Sequence, residues 1–365
     1  MEPIYVTKPA LPPLEEYTEL LRGIWERRLL TNCGPLHTEL EAALTAFFGV
    51  ETLLFTNGHT ALEFLLQTLP AGEIVTTPFT FASTANAILR SGHTPVFCEV
   101  KESDCTIDPA AVEAAITEKT VAILPVHVYG NLCDDAALRQ IADRHGIPLF
   151  YDAAHAFGVQ TAEGASSAIL GDASMFSFHA TKVFHTVEGG CVCTKDAALA
   201  AKLRTMRNFG LVNGGEMLPE AGGNGKMDEF RAAMGLLNLR HHEEAVAGRK
   251  AANDRYLSAL SGRGLRFPAE ANRAAVRNYA YFPVLLPEGT DVAAVAARMQ
   301  AENVFTRRYF YPSLRQFEAF AGCPGETPKS DALASRVLCL PLYPDLSEDD
   351  TDRVVTALLA ALSAQ

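Results

Sequence analysis

Lys182 is the residue best placed in this chain to act as a nucleophile. It lies in the stretch S-M-F-S-F-H-A-T-K-V-F-H-T-V-E-G-G, from Ser174 to Gly190. The apolar run at 175–178 reads as a buried strand ending at His179, and the lysine follows three residues later among apolar neighbours. Burial disfavours an ammonium and lowers its pKa, which frees the amine to attack. A Schiff-base lysine needs that property. The competing reading is a lysine that caps a helix or carries its charge out to water along its stem. The stretch alone does not separate the two.

If Lys182 forms a Schiff base with pyridoxal phosphate, three companions are required. A carboxylate must keep the ring nitrogen protonated. Asp152, thirty residues earlier at the end of an expected strand, is the candidate, and a helix N-cap is its other reading. A flat or apolar group must face the ring, which Phe81 or His155 supplies unless they are plain core. The phosphate must meet donors. The segment 52–56 reads as a strand, Asn57-Gly58-His59-Thr60 as a turn, and 61–66 as a helix. The first N–H groups of such a helix are unpaired and form an anion site. The amides of Gly58 and His59 and the Ser177 hydroxyl are the expected donors. An ordinary strand-to-helix turn and a tolerated polar residue explain the same letters. The P-loop pattern is absent. No metal is expected, because His241-His242-Glu243-Glu244 are consecutive on a helix and fan around it.

Positioning these groups requires a particular fold. Apolar strands and helical segments alternate from residue 52 to about 207, which predicts an α/β fold with a mostly parallel sheet and helices on both faces. Ligands collect beyond the carboxyl ends of such strands. Gly58, Phe81, His127, Asp152 and His179 all fall at expected strand ends. A glycine-rich loop follows at 208–225. The reading is a large α/β domain at 1–244, including an N-terminal arm, and a smaller C-terminal α+β domain at 245–365. The latter is expected to have strands at 278–286 and 304–311 and helices at 292–302 and 347–362.

Composition agrees with a packed enzyme. The 365 residues are 48% hydrophobic and 20% charged, ample for a core. A formal charge of -12 argues against a general nucleic-acid binder. The eight cysteines include no C-x-x-C pair, and most read as reduced core residues. No basic-then-apolar leader opens the sequence and no apolar run spans a bilayer, so a cytoplasmic location is expected.

The motifs together resemble the sugar-nucleotide aminotransferases of the DegT/DnrJ/EryC1/StrS family. The resemblance rests on Asp152-Ala153-Ala154-His155-Ala156, Ser177-Phe178-His179-Ala180-Thr181-Lys182 and Glu188-Gly189-Gly190. Thr76-Thr77-Pro78-Phe79-Thr80-Phe81, 125–130, 223–229 and Leu340-Pro341-Leu342-Tyr343-Pro344 extend it along nearly the whole chain. It implies the aspartate-aminotransferase fold, fold type I of pyridoxal phosphate enzymes, and a homodimer with shared active sites. Lys182 would carry the cofactor, with pyridoxamine phosphate as its aminated form, and Asp152 would pair with the ring nitrogen. His155 stands where the family has Gln or His. Gly58, His59 and Ser177 match phosphate contacts, and Asn224 matches an asparagine that reaches the other subunit's phosphate. The family commonly has Gly-Thr where this chain has Gly58-His59, so a hydroxyl donor is lost there. A branch with histidine in place of the lysine is a dehydratase, and Lys182 argues against it.

Segments 12–16, 30–35 and 307–312 most resemble the branch that aminates dTDP-4-keto-6-deoxyglucose with glutamate. GDP-linked 4-keto sugars and dTDP-linked 3-keto sugars are the alternatives, and a non-catalytic, cofactor-holding regulator is a third. Arg308, Tyr309 and Tyr311 are the expected sugar-pocket residues; strand packing in the smaller domain is their other reading.

Overall fold

The structure, a computed structural model, describes residues 2–212, 216–217, 222–271 and 274–364. Two helices, α1 (Leu14–Arg27) and α2 (Pro35–Phe48), precede strand β1 (Thr52–Phe55). Helices and strands then alternate: α3 (Gly58–Leu66), β2 (Glu73–Thr76), α4 (Ala82–Arg90), β3 (Thr94–Phe97), α5 (Pro109–Ala115), β4 (Thr120–Ile123), α6 (Asp135–His145) and β5 (Phe150–Asp152). Next come β6 (Ala173–Ser177), β7 (Gly190–Thr194), α7 (Ala197–Met206), α8 (Glu229–Arg240) and α9 (His242–Leu260). The chain finishes with β8 (Phe282–Leu285), α10 (Val292–Ala301), α11 (Pro328–Arg336), β9 (Val337–Leu340) and α12 (Glu348–Ser363).

Capping residues set many of these starts. Asn57, Asp134, Asp196, Asp228 and Ser347 each accept a first-turn N–H with the side chain. The strands join in the order β3-β2-β4-β5-β6-β7-β1. Single parallel bridges, Ile123–Leu149 and Val126–Asp152, splice β4 to β5. Only β7 runs against its neighbours. The sheet is therefore mostly parallel, as the alternation of elements predicts. Alternation along each strand feeds two cores. Leu53, Phe55, Met175 and Val192 pack under α3, α4 and α7. Leu54, Phe176, Cys191 and Cys193 pack under α1, α2 and α8 on the opposite face. The reversal at β7 has a consequence for function. β6 and β7 pair antiparallel, so the segment between them returns at the sheet's carboxyl edge, and Lys182 lies in it.

The C-terminal part pairs β8 with β9 and surrounds them with α9, α10 and α12, around Tyr256, Phe282, Val284, Leu338, Val354 and Leu358. Two strand expectations are corrected there. Residues 304–311 form no strand: Phe305 bonds to Ile4 and Arg307 to Cys339, so the backbone changes partner within two residues and then turns at Arg308–Tyr311. The strand expected at 278–286 is only β8, because Tyr279 takes a left-handed conformation (φ 51°) that breaks the extended run. The N-terminal arm belongs with this part, since Ile4 is buried in its core and the Val6 carbonyl accepts from Leu342 N. The boundary expected at 244/245 falls inside α9. Gly214 and Gly215 of the glycine-rich loop lie outside the described residues.

One buried carboxylate ties α2 to α8. Glu229 is fully buried and accepts from the backbone of Leu36 (3.1 Å) and His37 (2.8 Å), the first turn of α2. A carboxylate suits that position because helix N-termini carry partial positive charge. Its removal leaves two buried donors unsatisfied. Glu229→Ala should destabilise the protein by about 3 kcal/mol and Glu229→Gln by about 1 kcal/mol, read by urea denaturation. Losses well under 1 kcal/mol for both would contradict this account of the cap.

Candidate active site

The carboxyl edge of the sheet brings Lys182 near enough to Asp152 for their charges to interact. Asp152 ends β5 and is almost fully buried. Its Oδ2 accepts from Thr84 Oγ1 at 2.7 Å and its Oδ1 from Ala154 N at 3.1 Å. Burial pushes its carboxyl up; the Thr84 and Ala154 hydrogen bonds, and then the charge of Lys182, oppose that push. Among the described residues no cation is in contact with Asp152. The amine of Lys182 donates to the Tyr281 hydroxyl at 3.2 Å. Burial pushes this lysine down to about 8, while Asp152 and then Tyr309 hold it up. The depressed value is the property that the sequence suggested.

The anion end is built by close backbone approach. Gly58 opens α3, and a Cβ there would lie 2.9 Å from Ser177 Cβ. A Cβ on Gly190 would come 2.5 Å from the Gly58 backbone. Glycine at both positions lets the start of α3 settle onto the ends of β6 and β7 beside Ser177. Asn57 takes the Thr60 N–H, and the Asn57 carbonyl takes the Ala61 N–H. Among the described residues the N–H groups of Gly58 and His59 and the Ser177 hydroxyl remain without acceptors or donors of their own. They converge on one small cradle suited to a phosphate dianion. The His59 ring turns away from it, bonding Ser83 Oγ at 2.9 Å and lying 3.2 Å from Glu63.

His155 is buried beside the lysine. Its Nδ1 accepts from the Tyr129 backbone at 3.2 Å, which leaves Nε2 as the protonated nitrogen facing the pocket. Burial holds the ring well below the usual histidine range, so it is neutral. Phe81 precedes α4 and is 62% exposed, so its ring is not core. Asn224 is exposed and bridges Asn208. Of the three expected sugar-pocket residues, Tyr309 comes near Lys182, its ring 5.5 Å from that of Tyr281, the amine's hydrogen-bond partner. Arg308 instead stacks on Tyr311 at 3.4 Å and donates to the Ser335 carbonyl at 2.7 Å.

Sequence reasoning missed Thr84, Tyr281 and Asn278. Thr84 was findable, since it follows Phe81 by three residues and shares its helix face. Tyr281 and Asn278, whose side-chain amide donates to the carbonyls of His155 (2.8 Å) and Phe157 (3.0 Å), come from the distant C-terminal part. No local spacing announces them.

The arrangement offers a neutralisable amine, a buried carboxylate that lacks a cation, and an anion cradle. Its cost is visible in the ligand-free protein. Asp152 has its pKa raised on folding, so its favourable contribution is present below the unfolded value of about 4 and is lost as pH rises through the folded value. At pH 7 the carboxylate is thus a net destabiliser, and Asp152→Asn should raise the ligand-free melting temperature at pH 7 but not at pH 4. Calorimetry at both pH values tests this, and a lower melting temperature at pH 7 would contradict it.

The sequence profile of the DegT/DnrJ/EryC1/StrS aminotransferase family matches residues 14–359. A dTDP-4-amino-4,6-dideoxy-D-glucose transaminase from Shigella dysenteriae is 39% identical, over 98% of both chains. The crystal structure of DesI in the presence of its TDP-sugar product superposes with a TM-score of 0.93 at 34% identity, covering 100% of this chain and 95% of that one. NtdA of Bacillus subtilis, solved with bound cofactor PMP, has a TM-score of 0.86 at 27% identity, covering 96% of this chain and 82% of that one. The fold is that of the pyridoxal phosphate-dependent sugar aminotransferases. The chain belongs to the DegT/DnrJ/EryC1/StrS aminotransferase family.

Proposed function

We propose that this protein transfers the amino group of L-glutamate to dTDP-4-keto-6-deoxy-D-glucose, giving dTDP-4-amino-4,6-dideoxy-D-glucose, with pyridoxal phosphate as cofactor. The observation that carries the reading is the buried carboxylate of Asp152 within electrostatic reach of the Lys182 amine, whose pKa burial lowers. The sugar is supported by the transaminase of 39% identity and by the TDP-sugar complex of DesI.

Pyridoxal phosphate fits these residues. A protonated ring nitrogen supplies the cation that Asp152 lacks, and the cradle of Gly58 N–H, His59 N–H and Ser177 hydroxyl matches its phosphate. Lys182 Nζ would hold its aldehyde carbon. When bound, the cofactor supplies an electrophilic carbon and an electron-poor ring that stabilises a carbanion. Asp152 keeps the ring nitrogen protonated, at the position where a carboxylate in a dry site has most effect. Thr84 fixes one carboxylate oxygen and Ala154 N the other, so the group is oriented before anything binds. When free, Lys182 Nζ would take the α-proton of glutamate, hold it as an ammonium and give it back, acting as base and then acid. The reverse transfers serve the keto sugar. A lysine near 8 holds and releases that proton at neutral pH with small driving force in either direction. Phe81 and His155 flank the ring.

The active assembly is a homodimer, with Asn224 reaching across to the other subunit's phosphate. Exposed Val187, Phe209 and Leu211 offer apolar surface for that contact. The N-terminal α/β part and the C-terminal α+β part act as two units that meet along α9. Arg308 and Tyr311 bind the sugar nucleotide only if their mutual stack opens. No described helix is long and apolar enough to cross a membrane.

The purified holoprotein should be yellow and bleach on adding glutamate. A panel of dTDP- and GDP-linked 4-keto and 3-keto sugars, read by mass spectrometry, should then yield one amino sugar, from dTDP-4-keto-6-deoxyglucose. Lys182→Ala should lower turnover at least about 10⁴-fold, since one side chain serves as nucleophile, acid and base. Preferred amination of a GDP-linked or 3-keto sugar would overturn the substrate; bleaching with no product from any sugar would favour a regulator.

A further inference from the structure

We infer that Tyr281 is a positioning residue that docks the amine of Lys182 while that amine is free. The inference rests on the proposed role of Lys182, and it concerns the stage at which the lysine must wait between receiving and returning a proton.

The geometry is specific. The Tyr281 hydroxyl accepts from Lys182 Nζ at 3.2 Å, and among the described residues this is its one hydrogen bond. A buried phenol is ordinarily tied to the protein frame. This one is tied to the reactive amine. The tyrosine ring itself is held from three sides, with ring centroids at 4.8 Å to His155, 5.8 Å to Tyr129 and 5.5 Å to Tyr309. The hydroxyl is therefore fixed and the long lysine side chain is the mobile partner. Lys182 also lies 5.9 Å from the Tyr281 ring centroid, which adds attraction for the ammonium form. A narrow, partly open cavity of about 10 Å³, lined by Lys182, Tyr281, His155, Thr181 and Asn278 among others, gives the amine little other room.

The charged surroundings are consistent with a phenol that stays protonated. Burial pushes Tyr281 up, Cys339 of β9 adds to this, Arg249 of α9 opposes it, and Asp152 of β5 adds to it. Arg249 is fully buried and donates to the Leu342 carbonyl at 3.1 Å and the Ala280 carbonyl at 3.5 Å, which braces the backbone just before Tyr281. Facing Lys182 are Asp152, Tyr309, Tyr281 and the neutral His155. A neutral phenol oxygen favours the ammonium that it accepts from. Docking thus parks the protonated amine on the phenol, within electrostatic reach of Asp152.

Tyr281→Phe removes only the hydroxyl and keeps every ring contact. The test uses the full chain loaded with pyridoxamine phosphate, in which the Lys182 amine is free. Competitive acetylation across pH, read by mass spectrometry of the Lys182 peptide, gives the midpoint at which the amine loses its proton. The midpoint should fall by about one to two pH units in Tyr281→Phe, the size of one hydrogen bond to a charged group. Tyr309→Phe should lower it by less than Tyr281→Phe does, because no hydrogen bond joins the Tyr309 hydroxyl to the amine. An unchanged or raised midpoint in Tyr281→Phe would overturn the inference. Bleaching by glutamate of separate samples loaded with pyridoxal phosphate separates the two levels. If both proteins bleach and the midpoints coincide, the docking role alone fails; if wild type does not bleach, the proposed function fails, and the docking role with it.

Discussion

A carboxylate and an amine lie within electrostatic reach of each other at the edge of a sheet, and burial shifts the pKa of both. Asp152 is buried with hydrogen bonds but no cation in contact, and Lys182 is depressed to about 8 with a phenol as its hydrogen-bond partner. Neither arrangement favours stability by itself. A buried carboxylate without a cation is costly, and an amine of depressed pKa records the same penalty in the other sign. The arrangement becomes intelligible when a cationic ring nitrogen is placed beside one group and an aldehyde beside the other.

The fold supplies that site through two features of the backbone. β7 runs against an otherwise parallel sheet, so the connection from β6 returns across the carboxyl edge and carries Lys182 with it. Glycines 58 and 190 let the N-terminus of α3 rest on the ends of β6 and β7, which sets two unpaired amides beside Ser177. The C-terminal part closes the site. Tyr281, Asn278 and Tyr309 approach from there, and the buried Arg249 braces the backbone behind them.

Much of the large domain was legible in the sequence because its signals are local. Helices α4 and α6 start and stop where caps, glycines and apolar spacing put them. Asp152 and Lys182 were legible because a charged residue at the end of an apolar strand is conspicuous. The small domain was less legible. Residues 304–311 have strand-like letters, yet they exchange partners between Ile4 and Cys339, and only tertiary contacts determine that. The arm at residues 4–8 packs on a core built some 250 residues later, beyond the reach of any window. His59 was legible as a backbone donor, but its ring's engagement with Ser83 and Glu63 was not. Tyr281 left no trace at all, since its meaning depends wholly on contact with a residue 99 positions away.

The claim on which everything rests is that the Lys182 amine holds the cofactor's aldehyde. Borohydride reduction of the holoprotein freezes such a linkage, and peptide mass spectrometry locates it. The account predicts one stoichiometric phosphopyridoxyl group on Lys182 and none on Lys182→Arg. Attachment at another lysine, or at none, would contradict it.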